Sequence, residues 1–421
     1  MTNSPAENRA PPRSDADARA LTVIMVAGTV ALALSFGARS MFGLVLEPMS
    51  ADLGWPRETF AFSLAMQNLV WGLAQPLFGM IADRYGDRRA LWIGFACYVA
   101  GMVISGMAAT PLGQHLGAGL LVGLGVSGTA FGLVLSVVAR AAPEHRRSQA
   151  LGLVSALGAS GQVFMPLIAQ WLVVEFGWRE AILAMALLLA PMALCIPRLK
   201  APAPKPGGPA PVPLATAMRR AFGHSSYLLL CLGFFVCGFH VAFITAHFPA
   251  YVAEVCSAFT LMGRSVSAEA LGAATISLVG LANIAGTLLA GRLGARYPKP
   301  YILSGIYALR AVVILAFIAL PPTPLSVIVF SLSIGVLWLS TVPLTAGLVA
   351  TMFGPAAMAT LYGFVFLSHQ VGAFAGVWMG GRLYDLHGGY EAVWWLAIAL
   401  GVMSAVAHLP IRDRAWAPAP A

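Results

Sequence analysis

The sequence predicts an all-α integral membrane protein with twelve transmembrane helices, arranged as two pseudo-symmetric six-helix bundles. Three observations carry that reading. Of 421 residues, 59% are hydrophobic and 10% charged, where a soluble domain carries about 25% charged residues. Too little polar surface remains to face water all round, so the chain belongs in lipid. Twelve apolar runs are also long enough to cross a bilayer, which takes roughly 20 residues each. Finally, the text GLAQPLFGMIADRYGDR from Gly72 returns 208 positions later as GLANIAGTLLAGRLGAR, with seven of 17 residues unchanged. That spacing reads as a duplicated membrane half.

In order, residues 1–20 form a polar, Pro-rich tail without a cleavable signal pattern. The first bundle, 21–196, holds runs at approximately 21–48, 59–82, 90–109, 112–140, 148–175 and 180–196. Residues 197–224, with PRLKAPAPKPGGPAPVP at their start, are basic and lack helical periodicity, so they read as a solvated linker. The second bundle, 225–409, holds runs at 225–254, 269–291, 301–320, 324–350, 357–383 and 391–409, before a short tail, 410–421. With the N-terminus inside, the cytoplasmic segments hold 19 Lys and Arg, and the opposite side holds four: Arg57, Arg179, Arg264 and Arg382. This asymmetry places both termini and the linker in the cytoplasm, with the helices in a bacterial inner membrane.

A net charge of +9 could suggest nucleic acid, but the basic residues sit in short blocks between apolar runs, which suits anionic headgroups. Five cysteines show no CxxC spacing and read as packed free thiols. Gly123-x-Gly125-x-x-Gly128 matches a dinucleotide fingerprint in form, but it lies inside a membrane helix with no preceding strand. No nucleophile–base pair, metal cluster or ATP-binding motif is present. The expectation is therefore neither an enzyme nor a cofactor or metal protein, but one driven by gradients.

The turn Gly79-x-x-x-Asp83-Arg84-x-Gly86-x-Arg88-Arg89 resembles the signature loop of the major facilitator superfamily. Its weaker echo at Arg292 and Arg296, the two sets of six runs and the basic linker agree with that resemblance, which covers the whole chain. As a cytoplasmic gate, Asp83 at a helix end among arginines can make charge-assisted bonds that form in one state of a rocking transporter and break in the other. Ser35-Phe36-Gly37-Ala38-Arg39-Ser40, and the stretch from Ala150 through Gln162 and Pro166 to Trp178-Arg179, look like the monocarboxylate-porter branch. That resemblance implies anion transport. The branch's Asp–Arg pair in helix eight is absent, Leu281-Ala282-Asn283 standing there, so its proton route does not carry over.

No carboxylate lies at mid-membrane depth, yet Arg39 and Arg310 both fall inside apolar runs. Arg39 stands roughly 27 Å into helix one at 1.5 Å per residue. An unpaired guanidinium there costs about several kcal/mol unless it meets an anion, a carbonyl cage or water. The missing partner is read as the cargo's carboxylate, against the alternative of a structural arginine on backbone carbonyls. Arg310, on a helix expected outside the central bundle, either braces helix eight or reaches past it into the cavity. Gln67, Asn68 and Gln162 are further substrate-site candidates, open equally to interhelical hydrogen bonding, and Gln370 and Trp338 are others, although a wide aromatic such as Trp338 in an apolar helix is more often packing. His240, His247 and His369 are the proton-coupling candidates, because histidine is the only side chain at that depth that titrates near neutrality.

The sequence thus points to a monomeric secondary transporter of a small anionic molecule, with a proton or another ion as coupling partner, the bilayer as surroundings and no nucleic acid. An exporter of drugs or other hydrophobic compounds, or a non-transporting sensor, would share the fold.

Overall fold

The computed structural model describes residues 15–200, 214–261, 264–353 and 355–414. Twelve helical spans run in alternation. Span 1 joins Asp15–Ser40 to Phe42–Leu53, span 2 is Arg57–Tyr85, and span 3 is Asp87–Gly106. Span 4 is the interrupted run Pro111–Ala141, span 5 joins Glu144–Gly158 to Gly161–Phe176, and span 6 is Trp178–Arg198. Spans 7 to 9 are Ser225–Val255, Ala268–Gly294 and Lys299–Ala319. Span 10 joins Pro324–Leu337 to Thr341–Phe353, span 11 is Pro355–His387 and span 12 is Glu391–His408.

Ten spans are apolar and long enough to cross a membrane by composition alone. The other two, spans 2 and 11, have 29 and 33 residues and carry Gln67, Asn68 and Gln75, and Ser368, His369 and Gln370. Their polar side chains are tolerated because these two helices pack on each other where the halves meet, with protein rather than lipid as neighbour. Span 1 also meets span 7, where Gly43 abuts the Thr245 carbonyl, and span 5 meets span 8 beside Gly280. A Cβ on Gly72 would lie 2.8 Å from the Cβ of Gln370, so the absence of a side chain permits this close approach.

The loop after span 2 turns at Gly86, whose φ of 92° suits glycine alone. Two elements fall outside the expected pattern. Within 197–224 the chain forms a helix, Leu214–Phe222, whose Phe222 packs on Tyr227 and Phe364 while Arg219 and Arg220 stay exposed. Prolines and glycines dominate only the part before it, so its helical half was masked by the composition of its neighbour. Between spans 7 and 8 a short antiparallel hairpin pairs Phe259–Leu261 with Arg264–Val266.

Candidate functional site

Span 1 is pinned from behind by buried polar contacts. Tyr98 donates to the Ser35 carbonyl at 2.6 Å, and the Ser35 hydroxyl lies 3.0 Å from that of Thr129. This aims Arg39 at span 2, two residues before the helix breaks at Met41. There Nε donates to Gln67 Oε1 at 3.0 Å and Nη2 donates to Asn68 Oδ1. Both amides are held in that orientation from their nitrogen ends. Gln67 Nε2 donates to the Ala118 carbonyl and Asn68 Nδ2 to the Leu64 carbonyl, each at 2.8 Å. Carbonyls only accept, so the two amide oxygens must face the guanidinium.

Arg39 is therefore mounted by one edge, Nε and Nη2, on two neutral groups. The end fork formed by Nη1 and the second hydrogen of Nη2 bonds no described residue, and no described carboxylate lies within 4.0 Å of this side chain. The guanidinium stands 5.2 Å from the centre of the Trp71 ring, which meets Phe366 of the second half at 5.3 Å. Arg39 is partly exposed. This is a charge with a free binding edge one aromatic ring away from the seam between the halves.

Arg310 is built differently. It is 1% exposed, and its Nε and Nη2 donate to the Leu337 carbonyl, with Nη2 also reaching the Trp338 carbonyl and lying 3.6 Å from Cys237 Sγ. Those carbonyls are freed by the break in span 10, so the guanidinium braces a broken helix. Its Nη1 is buried without a partner. Asn283 serves the same break from span 8, its Oδ1 accepting from Leu339 N at 3.0 Å. Trp338, 3% exposed, packs in the second half's core. Gln162 is partly exposed beside Gly280 and its side chain bonds no described residue. Gln370 is fully buried against Gly72, its Nε2 unpartnered and its Oε1 3.2 Å from His369 Nδ1.

The three histidines occupy distinct settings. His240 Nε2 is 2.8 Å from the Ala397 carbonyl, away from the seam. His247 spends both nitrogens, on the Val377 carbonyl and the Tyr390 hydroxyl. His369 alone lies near the Trp71 wall, its ring parallel to that of Phe366 at 5.8 Å.

At the end carrying the linker, Gly79 faces open space and Arg84, Gly86, Arg88, Arg89, Arg292 and Arg296 are all exposed. Arg88 donates to the Pro197 carbonyl, and Asp87 pairs with Arg140 inside the first half. The backbone of Asp83 is in the last turn of span 2, and its side chain is outside the described residues. At the opposite, far end the halves are bolted together. Arg382 meets Glu58 at 2.8 Å and Arg57 meets Glu254 at 3.3 Å, while Asp385 accepts from the Arg57 and Glu58 backbone amides. Trp378 Nε1 also donates to Glu58, at 3.0 Å. Among the described residues, every ion pair joining the two halves is at this end. From sequence, the acidic members are expected at helix ends or in loops, and Arg57 and Arg382 only as charges on the side opposite the cytoplasm. Their one signal is the clustering of opposite signs at the far ends of spans 2, 7 and 11.

Residues 28–377 match the Major Facilitator Superfamily profile. The chain is 25% identical over 367 residues to monocarboxylate transporter 13 of Bos taurus, covering 86% of this chain and 82% of that protein. It is 23% identical over 399 residues to YcxA, an uncharacterised transporter of the same type from Bacillus subtilis (strain 168), covering 89% and 91%. Its fold is similar to that of a bacterial homologue of the human lysosomal transporter Spinster, solved in an inward-facing, unoccupied conformation. That match has a TM-score of 0.68 and 17% identity, and covers 95% and 99% of the two chains. With twelve spans in two halves and a matching profile over most of its length, the chain belongs to the Major Facilitator Superfamily, a family of multi-pass membrane transporters.

Proposed function

We propose that the protein is a secondary active transporter that moves a small organic anion, a monocarboxylate, across the inner membrane by alternating access. The observation that carries this reading is the mounting of Arg39. Neutral amides hold one edge, no described carboxylate neutralises it, and the end fork matches the two oxygens of a carboxylate. Arg310 takes the bracing role instead, since its Nε and Nη2 are committed to span-10 carbonyls. The names of relatives such as monocarboxylate transporter 13 support the cargo class.

Cross-half ion pairs at the far end, and exposed arginines at the linker end, fit a carrier closed outward and open toward the linker. Lys and Arg asymmetry makes the linker side cytoplasmic. The motif arginines at that end would then engage in the opposite state. For proton coupling, His369 is the histidine placed beside the cargo region.

Uptake of labelled short-chain, hydroxy and aryl monocarboxylates into proteoliposomes tests this reading. Arg39→Ala should abolish saturable uptake, and Arg39→Lys should retain part of it. Unchanged anion uptake in Arg39→Ala, or saturable transport of lipophilic cations alone, would overturn it.

A further inference from the structure

Beyond the cargo site, the geometry points to His247 as a proton-binding site that sets the strength of the far-end lock between the halves. His247 is fully buried, and its Nε2 lies 2.8 Å from the Val377 carbonyl. A carbonyl only accepts, so Nε2 carries the hydrogen, and in the neutral ring Nδ1 is an acceptor. The Tyr390 hydroxyl, 3.2 Å from Nδ1, is then the donor. With its hydrogen committed, the Tyr390 oxygen accepts from Arg57 Nη1 at 3.0 Å. The direction of every bond in this chain is therefore fixed, and the chain crosses the seam, because Arg57 belongs to the first half and the others to the second.

A proton on Nδ1 reverses that polarity. The ring becomes a donor at both nitrogens, and the Tyr390 hydrogen loses its acceptor. A second cation also comes to stand two hydrogen bonds from the Arg57 guanidinium. The surroundings offer little to offset it. Span 11 contributes Val377, Gly380 and, further on, Tyr384, whose ring lies 3.8 Å from the Arg57 guanidinium. Span 12 contributes Tyr390 and span 2 contributes Arg57. Glu254, on the same helix as His247, pairs with Arg57, and its side chain is 40% exposed and so screened. Asp385, Glu58 and Arg382 complete the lock outside Arg57. On the remaining sides, Gly43 of span 1 and Gly272 of span 8 meet the backbone at Thr245 and Pro249 and bring no charge.

The locked state thus holds one proton fewer than the parted state. The lock is firm at high pH and weakens as pH falls through the histidine range, about 6.5 for an unperturbed ring. The proton enters from the far side, in the state open to that side, and must leave the same way before closure. His247 therefore gates the carrier without carrying the proton across.

Hydrogen exchange of the purified, cargo-free protein in lipid nanodiscs, corrected for intrinsic rates, tests this between about pH 8 and about pH 5. Protection of amides in 57–64 and 382–390 should fall about tenfold on acidification. His247→Gln, whose amide can donate to Val377 and accept from Tyr390, should keep the protection and lose the pH dependence. Tyr390→Phe should show weak protection at every pH. A flat wild-type profile, or pH dependence surviving in either variant, would overturn the proposal. Should His247→Gln fail to fold, Tyr390→Phe decides alone. No cargo is present, so the outcome is independent of the role of Arg39.

Discussion

The Arg39 guanidinium faces the Trp71 ring at 5.2 Å, and the indole is itself fixed by Nε1 donating to Gln75 Oε1 at 3.0 Å. The ring both steadies the cation and separates it from Phe366 across the seam. Trp71→Leu keeps an apolar filling but removes the π face, worth about 0.5–2 kcal/mol. The KM for anionic cargo is expected to rise about 3- to 30-fold, read from concentration-dependent uptake.

Asn68→Asp supplies from within the protein what the cargo is proposed to supply. The new carboxylate would sit against Arg39 Nη2, where the amide oxygen now accepts. A charge-assisted pair at this buried position, where Asn68 is 2% exposed, competes with the cargo, so the apparent affinity is expected to fall about tenfold or more. Unaltered affinity, measured by cargo-induced thermal stabilisation, would contradict the neutral-mount argument.

Arg310→Met removes a brace rather than a ligand. The Leu337 and Trp338 carbonyls would lose their donors, at about 1–3 kcal/mol for each unsatisfied group. The unfolding temperature in detergent is expected to drop by about 3–10 °C, while the KM of the remaining folded fraction stays near that of the parent. A selective KM effect with full stability would reassign this residue to the cargo.

The Glu58–Arg382 pair is a latch between the far ends of spans 2 and 11. With Arg382 half-exposed, the pair contributes on the order of 0–1 kcal/mol, enough to shift a two-state equilibrium a few-fold. Glu58→Arg should speed far-end labelling by a bulky amine-reactive probe about threefold. Adding Arg382→Glu should restore part of the parent rate, since Trp378 Nε1 still lacks its Glu58 acceptor, and no rescue at all would show that the ion pair is incidental.

The twelve spans and the repeat at Gly72 and Gly280 were legible because lipid imposes length and apolarity on the sequence itself. Arg39 was legible for the same reason, as a charge with no acid at its depth. The role of Arg310 was not, because its partners are backbone carbonyls released by a helix break at 338–340, and the flanking Gly335 and Pro343 are equally common inside an unbroken membrane helix. The far-end lock stayed hidden because Arg57 and Glu254 are 197 residues apart, and Glu58 and Arg382 are 324 apart. Pairing over such separations is decided by how the halves dock. His240 and His247 look alike in sequence, and only the identity of their hydrogen-bond partners distinguishes a sealed contact from a link across the seam.

Neither Gln67 nor Asn68 titrates, so the mount leaves Arg39 with a full unit of charge at any physiological pH. An occupied site holding a monoanion is electrically neutral, and an empty one is not. With a monoanion as the proposed cargo, membrane voltage, about 2.3 kcal/mol for each charge moved through 100 mV, would act on the vacant carrier as it reorients and spare the filled one. Electrical potential would then set how fast the carrier resets, while the gradients of cargo and of any coupled ion would set which way the loaded form runs.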